Sequence, residues 1–125
     1  MQLNLCTSND NEYQVQRYDA SHNTIVIQDI IYKTSICLTP QAITCWAPQT
    51  IDELKADDFS PIISLDPQVI LLGTGASQVF PDTEILAPCI KANLAVDIMD
   101  TATACRTFNV LSAEGRHIVA ALLIA

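Results

Sequence analysis

Three apolar runs separated by two helix-like stretches constrain this chain more than any other feature. Val69-Ile70-Leu71-Leu72 is uniformly apolar and stops at Gly73, the pattern of a strand covered on both faces. Ala95 to Met99 supplies a second strand. Ile118 to Ile124 supplies a third, apolar throughout and therefore predicted to be central. Between the first two runs, Thr83 to Ala92 reads as a helix with Asp82 as its cap, bent where Pro88 removes one bond of the helical ladder. Between the second and third, Thr101 to Ala113 reads as a helix. Ala104, Phe108 and Leu111 fall at i, i+4 and i+7, Cys105 widens that stripe, and Gly115 is placed to end it. This β-α-β-α-β order with short connections implies right-handed crossovers, and hence parallel strands with helices over the sheet.

Residues 1–66 have a different texture. Tyr13 to Tyr18 alternates aromatic or apolar with polar residues, the period-2 mark of a half-buried strand. Asp19 to Asn23 forms a turn before the β-branched Ile25-Val26-Ile27, so a hairpin is expected. One further strand is predicted over Ile31 to Leu38 and another over Ala42 to Trp46, with Pro40 and Pro48 at their margins. Thr50 and Glu53 stand at capping-box spacing and predict a short helix. The reading is α/β, one domain over residues 1–125, with an N-terminal antiparallel meander. That meander either extends the parallel sheet or forms a small second layer against it.

Composition removes several classes of function. Half of the 125 residues are apolar, which excludes a disordered chain, and no heptad repeat runs through it. Fourteen acidic residues against six basic ones give a net charge of −8, which argues against nucleic acid and against anionic membrane surfaces. The longest apolar stretch, Ile118 to Ala125, is eight residues long, short of the roughly 20 that a spanning helix requires, so no direct membrane insertion is expected. MQLNLCTSNDNE shows neither a basic n-region nor an apolar h-region, and a soluble cytoplasmic protein is the expectation. Cys6, Cys37, Cys45, Cys89 and Cys105 form no CxxC pair and are read as reduced thiols. With His22 and His117 as the only histidines, no metal site and no cofactor are expected.

Chemistry, if the chain has any, belongs at the loops after the parallel strands. Gly73-Thr74-Gly75-Ala76-Ser77-Gln78 follows the first strand, and Asp100-Thr101-Ala102-Thr103 follows the second. Both lie at the carboxyl edge, where open α/β sheets bind ligands and where a helix start offers free N–H groups. Gly73, Thr74, Gly75, Ser77, Gln78, Asp100, Thr101 and Arg106 are therefore the candidate ligand-binding residues. The alternative is a tight turn that needs glycine, with Asp100 acting as a helix cap. The GTG is not a dinucleotide fingerprint, since Val79-Phe80-Pro81 intervenes before any helix, and no lysine completes a P-loop. Cys105 is either a thiol activated near a helix start or a core residue on the apolar stripe. His117 has no acid or nucleophile assigned to it, and no catalytic residue is nominated.

The run LLGTGASQVFPDTEIL, followed by DIMDTATACRTFNVLSAEGRHIVAALL, resembles a family of small domains. That family includes the mitochondrial complex I assembly factor three proteins, the adipogenesis-associated domain protein and many short bacterial and archaeal proteins. The matching positions are Gly73, Thr74, Gly75, Asp100, Thr101, Ala104, Cys105, Arg106, Thr107, Asn109, Glu114 and Arg116, while Pro88 stands where the family has an ordinary helix former. The resemblance implies a three-layer α/β fold around a mixed central sheet. It supplies no substrate, cofactor or catalytic residue.

Two functions follow as expectations. One is a non-catalytic accessory or assembly-factor-like protein that acts by contact with a protein partner, with a homo-oligomer possible. The other is a small-molecule-binding protein or enzyme using a cleft between Gly73–Gln78 and Asp100–Arg106.

Overall fold

The computed structural model describes residues 12–125; the stretch MQLNLCTSNDN and Cys6, read above, lie outside them. Two sheets are present among the described residues. β1 (Val15–Asp19), β2 (Thr24–Ile27) and β3 (Ile30–Tyr32) form an antiparallel sheet in chain order. β4 (Ile36–Leu38), β5 (Ile43–Cys45), β6 (Val69–Thr74), β7 (Val96–Met99) and β8 (Ile118–Leu123) form a five-stranded sheet in the order β5-β4-β8-β6-β7. β6 runs parallel to both β7 and β8, while β4 joins β8 antiparallel and carries β5 as a hairpin. The large sheet is therefore mixed, and both uses foreseen for the N-terminal meander are realised. One part extends the sheet and the other lies against it.

β8 is central and every one of its six residues is buried. Alternate residues point into opposite cores, as the pleat requires. Ile118, Ala120 and Leu122 face a layer made by α3 (Thr101–Ala113) and the small sheet, together with Leu71, Ala104 and Phe108. Val119, Ala121 and Leu123 face a layer that includes Trp46, Phe59, Ile62 and Cys89. That second layer contains α1 (Ser60–Ile63) and α2 (Thr83–Lys91). The result is three layers with the mixed sheet in the middle.

Several local expectations need correction. The strand predicted over Ile31 to Leu38 is two strands, because the chain leaves the small sheet at Tyr32 and enters the large one at Ile36. Both segments are predominantly apolar, so periodicity could not show where pairing partners change. Thr50 precedes a 3-10 helix (Ile51–Glu53), but its side chain makes no capping bond. The Glu53 carboxylate instead accepts from the backbone N–H of Gln49. Asp82 occupies the cap position of α2 without a side-chain capping bond. A 3-10 turn (Ala56–Phe59) leading into α1 was not anticipated; Pro61 in the first turn of α1 is the signal that could have found it. Gly115 follows α3 with φ of 79°, the left-handed conformation a helix end favours.

Candidate functional site

The two loops at the carboxyl edge meet, and they meet as a latch. β6 ends in Thr74 and turns at Gly75, whose φ of 95° only glycine adopts readily. α3 begins at Thr101, which is fully buried. The backbone N–H of Gly75 donates to Thr101 Oγ1 at 2.8 Å, and Gly75 returns a bond by accepting from the Thr101 N–H at 2.9 Å. Thr101 Oγ1 in turn donates to the carbonyl of Leu123 at the end of β8. One hydroxyl thus joins the ends of two adjacent parallel strands and the start of the helix that crosses them.

The glycines are small because this junction is tight. A Cβ on Gly73 would lie 2.9 Å from Thr101 Oγ1 and 3.1 Å from a Leu122 methyl. A Cβ on Gly75 would lie 2.6 Å from the Ala125 carbonyl. Thr74, also buried, donates through Oγ1 to the Ser77 carbonyl at 2.7 Å and accepts from the Val79 N–H at 3.1 Å. The loop is therefore closed upon itself. Leu123 and Ala125, which complete the latch, were not singled out from sequence. The only available signal was a threonine directly after a capping aspartate.

The remaining candidates lie on the rim or elsewhere. Ser77 is exposed, and exposed Gln78 donates through Nε2 to the Ile98 carbonyl at 2.9 Å, covering part of the edge of β7. Asp100 caps α3, its carboxylate accepting from the Thr103 N–H at 2.8 Å. That backbone bond and then the Thr103 hydroxyl hold its carboxyl below the usual range; burial opposes them, and Arg106 adds the smallest effect in the same downward direction. Arg106 is exposed, reaches Thr103 Oγ1 at 3.2 Å, and lines a groove of about 210 Å³ with Tyr18, Cys105 and Asn109. The structure thus brings Gly73, Thr74, Gly75, Asp100 and Thr101 into one junction and directs Arg106 toward β1.

Two other residues acquire definite roles. Burial pushes the Cys105 thiol up to about 12, with Arg106 opposing and Asp100 adding to the effect, so it sits in the core as a neutral thiol. His117 Nε2 lies 2.9 Å from the Leu65 carbonyl on an exposed loop. Among the described residues no group of three or more His, Cys, Asp or Glu is placed to hold a metal ion. None of their helices is long and apolar enough to cross a membrane.

Fold and latch together define a small three-layer α/β domain whose parallel strands are tied at their carboxyl ends by a buried threonine. The chain belongs to the family described as "Protein of unknown function (DUF498/DUF598)", which matches residues 17–123. It is similar to the NADH dehydrogenase (ubiquinone) 1 alpha subcomplex assembly factor 3 of Danio rerio, 38% identical over 86 residues, covering 67% of this chain and 49% of that protein. It is also similar to a "13 kDa major membrane protein" of Francisella tularensis, 38% identical over 68 residues, covering 54% of this chain and 55% of that one. The chain thus spans about half the length of these curated relatives. A crystal structure of a Bordetella parapertussis protein superposes with a TM-score of 0.83 at 30% identity, covering 91% of this chain and 97% of the other.

Proposed function

We propose that the chain is a non-catalytic accessory protein of the assembly-factor type, working through contact with a protein partner. The observation that carries this is the latch. Open α/β sheets bind ligands in the crevice at the carboxyl ends of their strands. Here the Thr101 hydroxyl fills that place with bonds to Gly75 and Leu123, using both its donor and an acceptor position. Gly73 and Gly75 serve close packing, with no room for a Cβ toward Thr101 or Ala125. The name of the Danio rerio relative supports the assembly role, and the complex to be assembled for this chain is by extension a respiratory NADH dehydrogenase. A cytoplasmic location belongs to the same proposal, and cell fractionation checks it.

The test is deletion in the native cell, followed by native electrophoresis of membranes and an assay of NADH:quinone activity. Loss of the assembled complex with accumulation of partial assemblies is the expected result, restored by the wild-type gene. Normal assembly overturns the proposal. A thermal-shift screen of metabolites tests the rival use of the Gly73–Gln78 and Asp100–Arg106 loops. Saturation of a specific site at 100 times its Kd stabilises by about 2.7 kcal/mol. A shift of that size, abolished by Gln78→Ala or Arg106→Ala, would replace the assembly reading with ligand binding.

A further inference from the structure

Among the described residues, the small sheet ends on a strand that pairs on one side only. β3 pairs with β2, and Ile30 and Ile31 are 55% and 57% exposed. The loop between β2 and β3 is the two residues Gln28 and Asp29, with φ of 50° and 67°. Positive φ at both central residues is the turn of a tight two-residue hairpin. In that hairpin Ile27 and Ile30, flanking the loop, exchange both backbone bonds, so the next pair, Val26 and Ile31, is a non-hydrogen-bonded one. The N–H and C=O of Ile31 therefore face away from β2, along the free edge.

We propose that this edge is a self-pairing interface. Two copies of the chain join β3 to β3, antiparallel, about a twofold axis through Ile31, and their small sheets become one continuous sheet. The segment Asp29-Ile30-Ile31-Tyr32-Lys33 is self-complementary in this register. Ile31 meets Ile31 of the second copy and exchanges both backbone bonds with it. Ile30 faces Tyr32 of the second copy. Asp29, a turn residue whose N–H and carboxylate are bonded to Gln16 of its own β1, brings its negative charge near Lys33 of the second copy without a ladder pairing, and the twofold axis makes each approach twice. A parallel arrangement would instead set Asp29 against Asp29, so the charges select the direction. The outer face supports the same join. Arg17, Val26 and Ile31 form a row across the sheet, and pairing extends it into an apolar centre with an arginine at each end. The opposite signs at the two ends of β3 favour a second copy over an unrelated strand.

The test uses the full chain. Light scattering and sedimentation across a dilution series are expected to show a monomer–dimer equilibrium. Ile31→Lys sets like charges across the axis at an exposed position, and the expected result is a monomer that melts where the wild type melts once diluted below its dimer dissociation constant. Lys33→Glu brings a like charge near Asp29 and is expected to weaken the dimer about tenfold. Adding Asp29→Asn, which keeps the left-handed turn, recovers part of that loss. In the unsubstituted chain, exchange of the Ile31 amide is expected to slow as the dimer forms and to quicken on dilution; this reading decides the matter if Ile31→Lys does not fold. A monomer at every concentration, a dimer that survives Ile31→Lys, or an Ile31 amide indifferent to concentration each overturns the proposal.

Discussion

β8 and β3 are both short runs of apolar residues, yet the first is wholly buried at the centre of one sheet and the second lies exposed at the edge of another. Hydrophobicity alone does not separate them. What separates them is the parallel crossover, which requires helices over the sheet and so buries β6 and β8 on both faces, while β7 at the edge is only partly covered. The small sheet has one covered face, where Val15, Ile25 and Ile27 meet α3, and long-range polar clasps hold it there. Asn109 accepts from the Val15 N–H and donates to the Val15 carbonyl, both at 2.8 Å, and the Tyr18 hydroxyl donates to the Ile124 carbonyl at 3.0 Å. The first region holds the central strand of both core layers, and the second packs on it through β1 and β2 while, among the described residues, β3 pairs on one side only.

The largest expected effect tests that asymmetry directly. Phe108→Ala empties a fully buried site between α3 and the sheet and should cost about 3–5 kcal/mol in urea unfolding. Ile30→Ala at the exposed edge should cost no more than about 0.5 kcal/mol at concentrations where the chain is monomeric. Equal losses would mean that the small sheet is as integral as the large one. Thr101→Val comes next. It keeps the shape but leaves the Gly75 N–H without its partner and Leu123 without its donor, at about 1–3 kcal/mol for each orphaned group. Asn109→Ala should cost about 1–3 kcal/mol by freeing both backbone groups of Val15. Hydrogen exchange should then quicken in β1 and β2 while β6 and β8 stay protected; uniform loosening would break the division into two regions.

The same division governs how far the residues could be read in advance. β6, α3 and β8 were legible because each is strongly patterned, and Gly115 ends α3; the stop read at Gly73 falls one residue short, since β6 runs on to Thr74 and turns at Gly75. The junction of Gly75 with Thr101 followed from the parallel order of the strands. Its closure did not, because it depends on a hydroxyl within bonding distance of Leu123, 22 positions on in the chain. In the first half, the break between Tyr32 and Ile36 was invisible, since choice of sheet is decided by pairing partners and not by the segment's own residues. Thr50 and Glu53 had the right spacing for a capping box, but Gln49 offered the Glu53 carboxylate another donor.

The smallest effect concerns the cap of α3. Asp100 accepts from the Thr103 N–H, and its carboxyl is held below the usual range chiefly by that bond. A depressed folded-state value means that the folded chain favours the ionised form. The stabilisation is therefore complete above the ordinary carboxylate range and fades as the pH falls through the lowered one. Asp100→Ala should cost about 1 kcal/mol at neutral pH, the ordinary worth of a helix N-cap. The difference between Asp100→Ala and wild type should shrink as the solution is acidified below the range where free carboxylates titrate. Asp100→Asn can still accept from Thr103 but carries no charge, so it should lose less and show little of that pH dependence. If Asp100→Ala and wild type instead differ by the same amount at every pH, the charge contributes nothing and the cap acts by geometry alone.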